Sequence, residues 1–171
     1  MAKILEFLTV NIAVESLDEM LPKYRHMGMS HVPPSPWPDP PIQMTDVSLE
    51  LDPAPVALSL IEPWEGEGPV AKFISRRGAG VYSIAVRVDD IAAIMADWRE
   101  AGMDWVLDEP DEVPGGRAAR YVADRVLVNW VQPKTLGGVL FEVFELQGNV
   151  RLHPESIPAE RTVTGSAPRG A

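Results

Sequence analysis

Cysteine is absent from the 171 residues, which excludes disulfides, thiolate metal ligation and a cysteine nucleophile. Histidine is nearly absent. His26 and His31 fall in and just after a first helical stretch, His153 in the C-terminal tail, and each reads as an ordinary, partly exposed side chain. Clustered basic residues are missing too: the longest run is Arg76-Arg77, and the formal net charge is −10. Nucleic acid is therefore excluded as a partner, because phosphate backbones demand grouped Lys and Arg. No apolar stretch approaches the roughly 20 residues of a membrane span. The N-terminus enters an amphipathic strand at once, without the basic start and apolar run of a secretory signal, so the expected location is the cytoplasm.

What is present is a repeat. The composition, 46% hydrophobic and 23% charged, is that of an ordinary globular domain with enough chain to bury a core. Residues 8–29 and 82–103 align with a constant offset of 74, matching Val14 to Val88, Leu17 to Ile91, Tyr24 to Trp98, Arg25 to Arg99, and Gly28-Met29 to Gly102-Met103. Each copy reads as strand, acidic turn, helix and glycine stop. Helices are expected over 17–27 and 91–101, the second capped by Asp90 and presenting Ile91, Ile94, Met95 and Trp98 on one face. Gly102 stands where a left-handed residue closes a helix. Pro22 predicts that the first helix starts late or bends.

Strands follow each helix, at 46–51 and 56–61 in the first copy, across the turn Asp52-Pro53-Ala54-Pro55, and at 125–131 and 138–144 in the second. The closing hairpins match as well, Val56-Ala57-Leu58-Ser59 against Val139-Leu140-Phe141-Glu142. Three segments fall outside the repeat: a proline-dense extended loop over 33–42 around Trp37, a polar loop over 108–120, and a tail from about Gly148 that reads as irregular or disordered.

With the repeat in hand, the sequence resembles the vicinal oxygen chelate superfamily (glyoxalase, bleomycin resistance, dioxygenase), and within it the methylmalonyl-CoA epimerase branch. Two stretches carry the likeness. One is Pro69-Val70-Ala71-Lys72-Phe73-Ile74, Arg77-Gly78 and Ile84-Ala85-Val86-Arg87-Val88-Asp89-Asp90-Ile91; the other is Gln132-Pro133-Lys134-Thr135 with Gly137-Gly138-Val139-Leu140-Phe141-Glu142. The resemblance implies an α+β fold in which two tandem βαβββ modules form a cup-shaped, eight-stranded, mostly antiparallel sheet with helices outside. Residues 1–147 then make one domain, with modules at 5–64 and 79–147 and the tail at 148–171. It also implies a homodimer, since sheet edges invite a partner.

The same resemblance implies four metal-ligand positions, two histidines, a glutamine and a glutamate. They fall here on Thr9, Ser83, Ser59 and Glu142, and a further catalytic glutamate falls near Ser48. Only Glu142 keeps its chemistry, so no cofactor is expected and a divalent metal is disfavoured. A lone carboxylate on an inward face, its pKa raised by burial, suits a general base or acid. Thr9, Asn11, Ser59 and Ser83 would offer hydrogen bonds to a substrate. Arg87 would pair with Glu142 or with an anionic ligand. Ser48, Glu50 and Trp130 would share the cavity face, with Trp37 over the mouth. Lys72, Arg117, Arg120 and Lys134 are the cations available for a CoA phosphate, though each reads first as solvated surface. The expected function is a metal-independent isomerase, epimerase or lyase working next to a carbonyl, acyl thioesters included. The alternatives are a small-molecule binding protein without catalysis, and a metal-dependent epimerase or dioxygenase with other ligands.

Overall fold

The computed structural model describes residues 2–37, 42–50, 57–64, 66 and 68–153. The turn expected at 52–55 and the tail beyond His153 lie outside them.

In chain order the first half contributes β1 (Ile4–Ala13), α1 (Leu17–His26), β2 (Ser30–His31), β3 (Ser35–Trp37), β4 (Met44–Glu50) and β5 (Ala57–Pro63). A helix, α2 (Gly68–Arg77), leads to the second half. There follow β6 (Gly80–Val88), α3 (Ile91–Glu100), β7 (Asp111–Glu112), β8 (Arg117–Ala118), β9 (Tyr121–Val122), β10 (Arg125–Val131), β11 (Leu140–Gln147) and β12 (Arg151–Leu152). The architecture is α+β. One sheet runs β2-β4-β5-β1-β6-β11-β10-β7, with β3 pairing β4 as its ninth strand, and it stays open. The expected eight strands become nine because the proline-dense loop pairs Ser35 with Asp46 and Trp37 with Met44.

The two modules meet at the antiparallel pair β1–β6. Thr9 faces Ala85 and Asn11 faces Ser83 there, and exchanging the copies maps one pair onto the other. Within each half the first strand runs parallel to the last, β1 with β5 and β6 with β11. The symmetry extends to the helix ends. Ser16 accepts from Glu19 N–H and Asp90 from Ala93 N–H, each capping its helix. At the other end Met29 N–H bonds Tyr24 C=O and Met103 N–H bonds Trp98 C=O around the left-handed Gly28 and Gly102. Glu62 and Glu145 accept from the first helical N–H groups, Leu17 at 2.7 Å and Ile91 at 2.9 Å.

Period-two alternation divides the sheet. One face packs the helices: Leu17 of α1 against Val47, Leu49 and Leu60, and Ile91, Ile94 and Met95 of α3 against Val86, Val131 and Val143. The other face carries Asp46, Ser59, Ala85, Val128, Glu142 and Phe144 toward a cavity. A register shift between Phe7 and Thr9 lets consecutive residues Leu8 and Thr9 both reach that side.

Four expectations need correction. α1 starts at Leu17 despite Pro22, because Ser16 and Glu62 satisfy its first N–H groups. α2 has no counterpart in the repeat and was not foreseen; its Val70 packs on Ala13 and Ile61. The 108–120 segment is not plain loop but carries β7, a turn over Pro114–Gly116 and β8. Within the segment read as irregular tail, Arg151–Leu152 form β12, which pairs β9.

The matched carboxylate caps give a test. Glu62→Ala and Glu145→Ala should each cost about 0.5–2 kcal/mol in urea unfolding, as lost helix caps do. Separated by the β1–β6 pair, their effects should add in the double variant. A loss from only one of the two would break the equivalence.

Candidate functional site

Buried polar side chains are few, and they gather. Thr9, Asn11, Ser48, Ser59, Ser83, Asn129 and Glu142 are the buried polar residues among those described. All except Asn129 lie where β4, β5, β1, β6 and β11 run side by side. Asn129 serves the backbone, bonding Leu107 and Trp130.

A directed chain of hydrogen bonds ends on Glu142. Thr9 Oγ1 donates to Asn11 Oδ1 (2.8 Å), Asn11 Nδ2 to Ser83 Oγ (2.9 Å), and Ser83 Oγ to Glu142 Oε1 (2.6 Å). Asn11 and Ser83 meet because they are directly opposed across the seam. Burial pushes Glu142 from an ordinary 4.5 up to about 7. Hydrogen bonds from Ser83, Asn11 and Trp130 restrain the rise, while the charge of Asp46 adds to it.

Asp46 is the second carboxylate, and the sequence reading passed over it. Burial pushes it up to about 6, against a hydrogen bond from Ser59 and the charge of Arg117. One of its oxygens, Oδ1, is sealed from solvent without a partner. Its signal was available: Asp46 lies two residues before Ser48 on one strand and so shares its face. Tyr82 was also missed. It leaves the alternation of Ser83 and Ala85, yet reaches the cavity from beneath α2, edge-on to Phe73 at 5.2 Å. Burial and the nearby Glu142 charge raise its pKa, keeping the phenol protonated. Among the described residues its hydroxyl has no hydrogen-bond partner.

The cavity measures about 550 Å³ and takes side chains from both modules. Thr9, Asn11, Ser59, Trp130 and Glu142 line it, as do Trp37 and Arg117. Ser48 and Ser83 do not reach it. Ser48 bonds Ser59 (3.2 Å) from the neighbouring strand, and Ser83 positions Glu142. Glu50 stands beyond the cavity, raised by burial and restrained by the charge of Arg120. Arg87 pairs with Glu6 (3.2 Å) rather than with Glu142, because Glu6 is its direct neighbour across the seam. Lys134 pairs with Asp104, and Lys72 is exposed on α2. His31 bonds Arg25 and the Val32 carbonyl, far in sequence and place from the Glu142 chain.

The four positions that the resemblance assigns to a metal hold three hydroxyls and one carboxylate. Each hydroxyl is already engaged, Thr9 with Asn11, Ser59 with Ser48 and Ser83 with Glu142. Divalent ions favour imidazole, thiolate or several carboxylates. Among the described residues no group of three or more His, Cys, Asp or Glu is placed to hold one. This donor set does not fit a metal.

Ionising Glu142 opposes folding. Its folded pKa lies above the unfolded value, so its contribution is full below about pH 4.5 and is lost as pH rises through about 7. Glu142→Gln should therefore leave stability unchanged at pH 4 and raise it above pH 7, by on the order of 2–3 kcal/mol. Urea titrations at the two pH values read this, and equal stability of both proteins at pH 8 would contradict it.

Comparison with known proteins places this geometry. Residues 9–123 match the family described as the glyoxalase/bleomycin resistance protein/dioxygenase superfamily. A hypothetical protein from Bacillus halodurans superposes with a TM-score of 0.70 at 28% identity, over 88% of this chain and 98% of that one. Methylmalonyl-CoA epimerase from Mycobacterium tuberculosis gives 0.71 at 26% identity, over 84% and 89%. A Streptomyces coelicolor methylmalonyl-CoA epimerase in complex with 2-nitronate-propionyl-CoA gives 0.71 at 23%, over 85% and 100%, a likeness of fold. No curated protein matches the chain.

Proposed function

Because the chain belongs to the glyoxalase/bleomycin resistance protein/dioxygenase superfamily, whose fold hosts many chemistries, we propose its activity from the cavity itself. It is a metal-independent acid–base enzyme, an isomerase, epimerase or lyase, that moves a proton on carbon next to a carbonyl. The observation that carries this reading is Glu142: a carboxylate on the cavity wall, held by Ser83, Asn11 and Trp130, with its pKa at about 7. A group poised there is a competent base and, once protonated, a competent acid near neutral pH.

In the forward step the Glu142 carboxylate takes a proton from the carbon. The C–H electron pair becomes the C=C bond of an enolate, and negative charge moves to the carbonyl oxygen. That charge needs a donor. Thr9 and Ser83 already donate within the chain to Glu142, and Ser59 is tied to Ser48 and Asp46. Among the described residues Tyr82 and Ser35 are the other cavity-lining hydroxyls, and the raised pKa of Tyr82 keeps its proton in place to meet the oxygen. Returning the proton from Glu142 to the same face regenerates the reactant. Epimerisation requires a second acid to protonate the other face while Glu142 releases its proton to solvent. Elimination expels a β-substituent with its bonding electron pair, and that group takes the proton from Glu142. The mismatched donor set supports chemistry without a metal, since Glu142 supplies the proton transfer unaided.

Deuterium uptake from D2O into the ketone 2-tetralone and into propionyl-CoA, followed by NMR, tests the proposal. Glu142→Gln should slow uptake by roughly two to four orders of magnitude, the usual contribution of a positioned base. Tyr82→Phe should slow it by about ten- to a hundredfold while leaving the pH profile in place. The wild-type rate should rise through about pH 7 as Glu142 ionises and should withstand EDTA. Uptake as fast in Glu142→Gln as in wild type, or abolished by EDTA, overturns the reading. Tight binding with no uptake by any protein would make the chain a binder instead.

A further inference from the structure

The character of the cavity wall names the substrate class more closely than the fold does. Most of its lining is apolar, with Leu8, Trp37, Ile61, Val128, Leu140 and Phe144 among the residues that form it. Among the described residues four that line it are acidic, namely Asp46, Asp111, Glu112 and Glu142, and one is basic, Arg117. Arg117 is already committed. Its Nη2 donates to the Pro33 carbonyl, its Nε to that of Ala119, and its charge acts on Asp46. The other cations that could have received a phosphate, Lys72, Arg120 and Lys134, are not part of the wall.

We propose, building on the acid–base reading, that the substrate is an uncharged, largely apolar carbonyl compound enclosed by this cavity, and not an acyl-CoA or another anion. An anion entering would meet Asp111 and Glu112 at an exposed rim, then two carboxylates within, and one guanidinium that is already shared. Like charges in a low-dielectric pocket repel strongly. An anion would also push Asp46 and Glu142 further toward protonation, removing the base. A cation gains less than the acidic count suggests. Glu142 is met by Ser83, Asn11 and Trp130, Asp46 by Ser59 and Arg117, and Glu112 by Arg125. The apolar wall charges the full desolvation cost of a cation against those satisfied carboxylates. A volume of about 550 Å³ suits a compact organic molecule held whole.

Calorimetric titration of the full chain at pH 7 with four probes tests this: 2-tetralone (neutral), 2-naphthylacetate (anionic), 2-aminotetralin (cationic) and propionyl-CoA. The expected result is that 2-tetralone binds at least tenfold more tightly than each of the others. Asp111→Lys with Glu112→Lys at the exposed rim should then improve 2-naphthylacetate at least fivefold relative to 2-tetralone. Leu140→Trp, which fills the cavity, should weaken 2-tetralone at least tenfold. Propionyl-CoA or 2-naphthylacetate binding as tightly as 2-tetralone overturns the proposal, as does preference for 2-aminotetralin. Binding and turnover fail separately. If 2-tetralone binds but takes up no deuterium, the acid–base reading falls and the ligand class stands. If propionyl-CoA binds best and is exchanged, the class falls and the chemistry stands.

Discussion

The antiparallel pairing of β1 with β6 is the constraint from which the site follows. Each strand begins a module, each runs parallel to the last strand of its own module, and the two share one seam. That arrangement alone brings Asn11 opposite Ser83 and lays Glu142 beside Ala85. A slip of one residue would turn every one of these side chains toward the helices. The seam is therefore also the link between the modules, and the cavity is common property of both.

Within that frame the polar cluster is organised around one charge. Donors converge on Glu142 in a single direction, starting from Thr9, and the cavity wall beyond it is mostly apolar. Burial raises its pKa more than the donors lower it, so the group is left near the middle of its titration at neutral pH. Hydroxyls at Thr9, Ser59 and Ser83 become intelligible on these terms. Histidine at Thr9 or Ser83 would break the relay that orients the carboxylate. The positions are occupied by groups that serve Glu142.

The repeat, both principal helices and the Asp90 cap of the second were legible because they rest on local rules: a capping side chain, a glycine stop and a 3.6-residue apolar stripe. Residues 125–131 were readable as a strand to their exact ends. What the sequence hid depends on contacts between distant segments. α2 lacks a partner copy, so the repeat could not announce it, and with it went Tyr82, which reaches the cavity only because the helix covers that end of the sheet. Arg87 was assigned to Glu142 by strand alternation, but a cross-strand neighbour, Glu6, lies closer than any residue further along the sheet. Asp46 was overlooked although alternation placed it beside Ser48. Its importance comes from burial beside β3, which pairs Ser35 with Asp46 and is built from a proline-dense segment that reads as loop.

The account stands on the ionisation of one side chain, and that can be observed directly. In protein labelled with carbon-13 at the glutamate carboxyl carbons, the resonance lost in Glu142→Gln identifies the group, and its chemical shift against pH gives its midpoint. The account predicts a midpoint at about 7, well apart from the other glutamates. A midpoint near the ordinary 4.5 would show a hydrated carboxylate with no special basicity, and would contradict it.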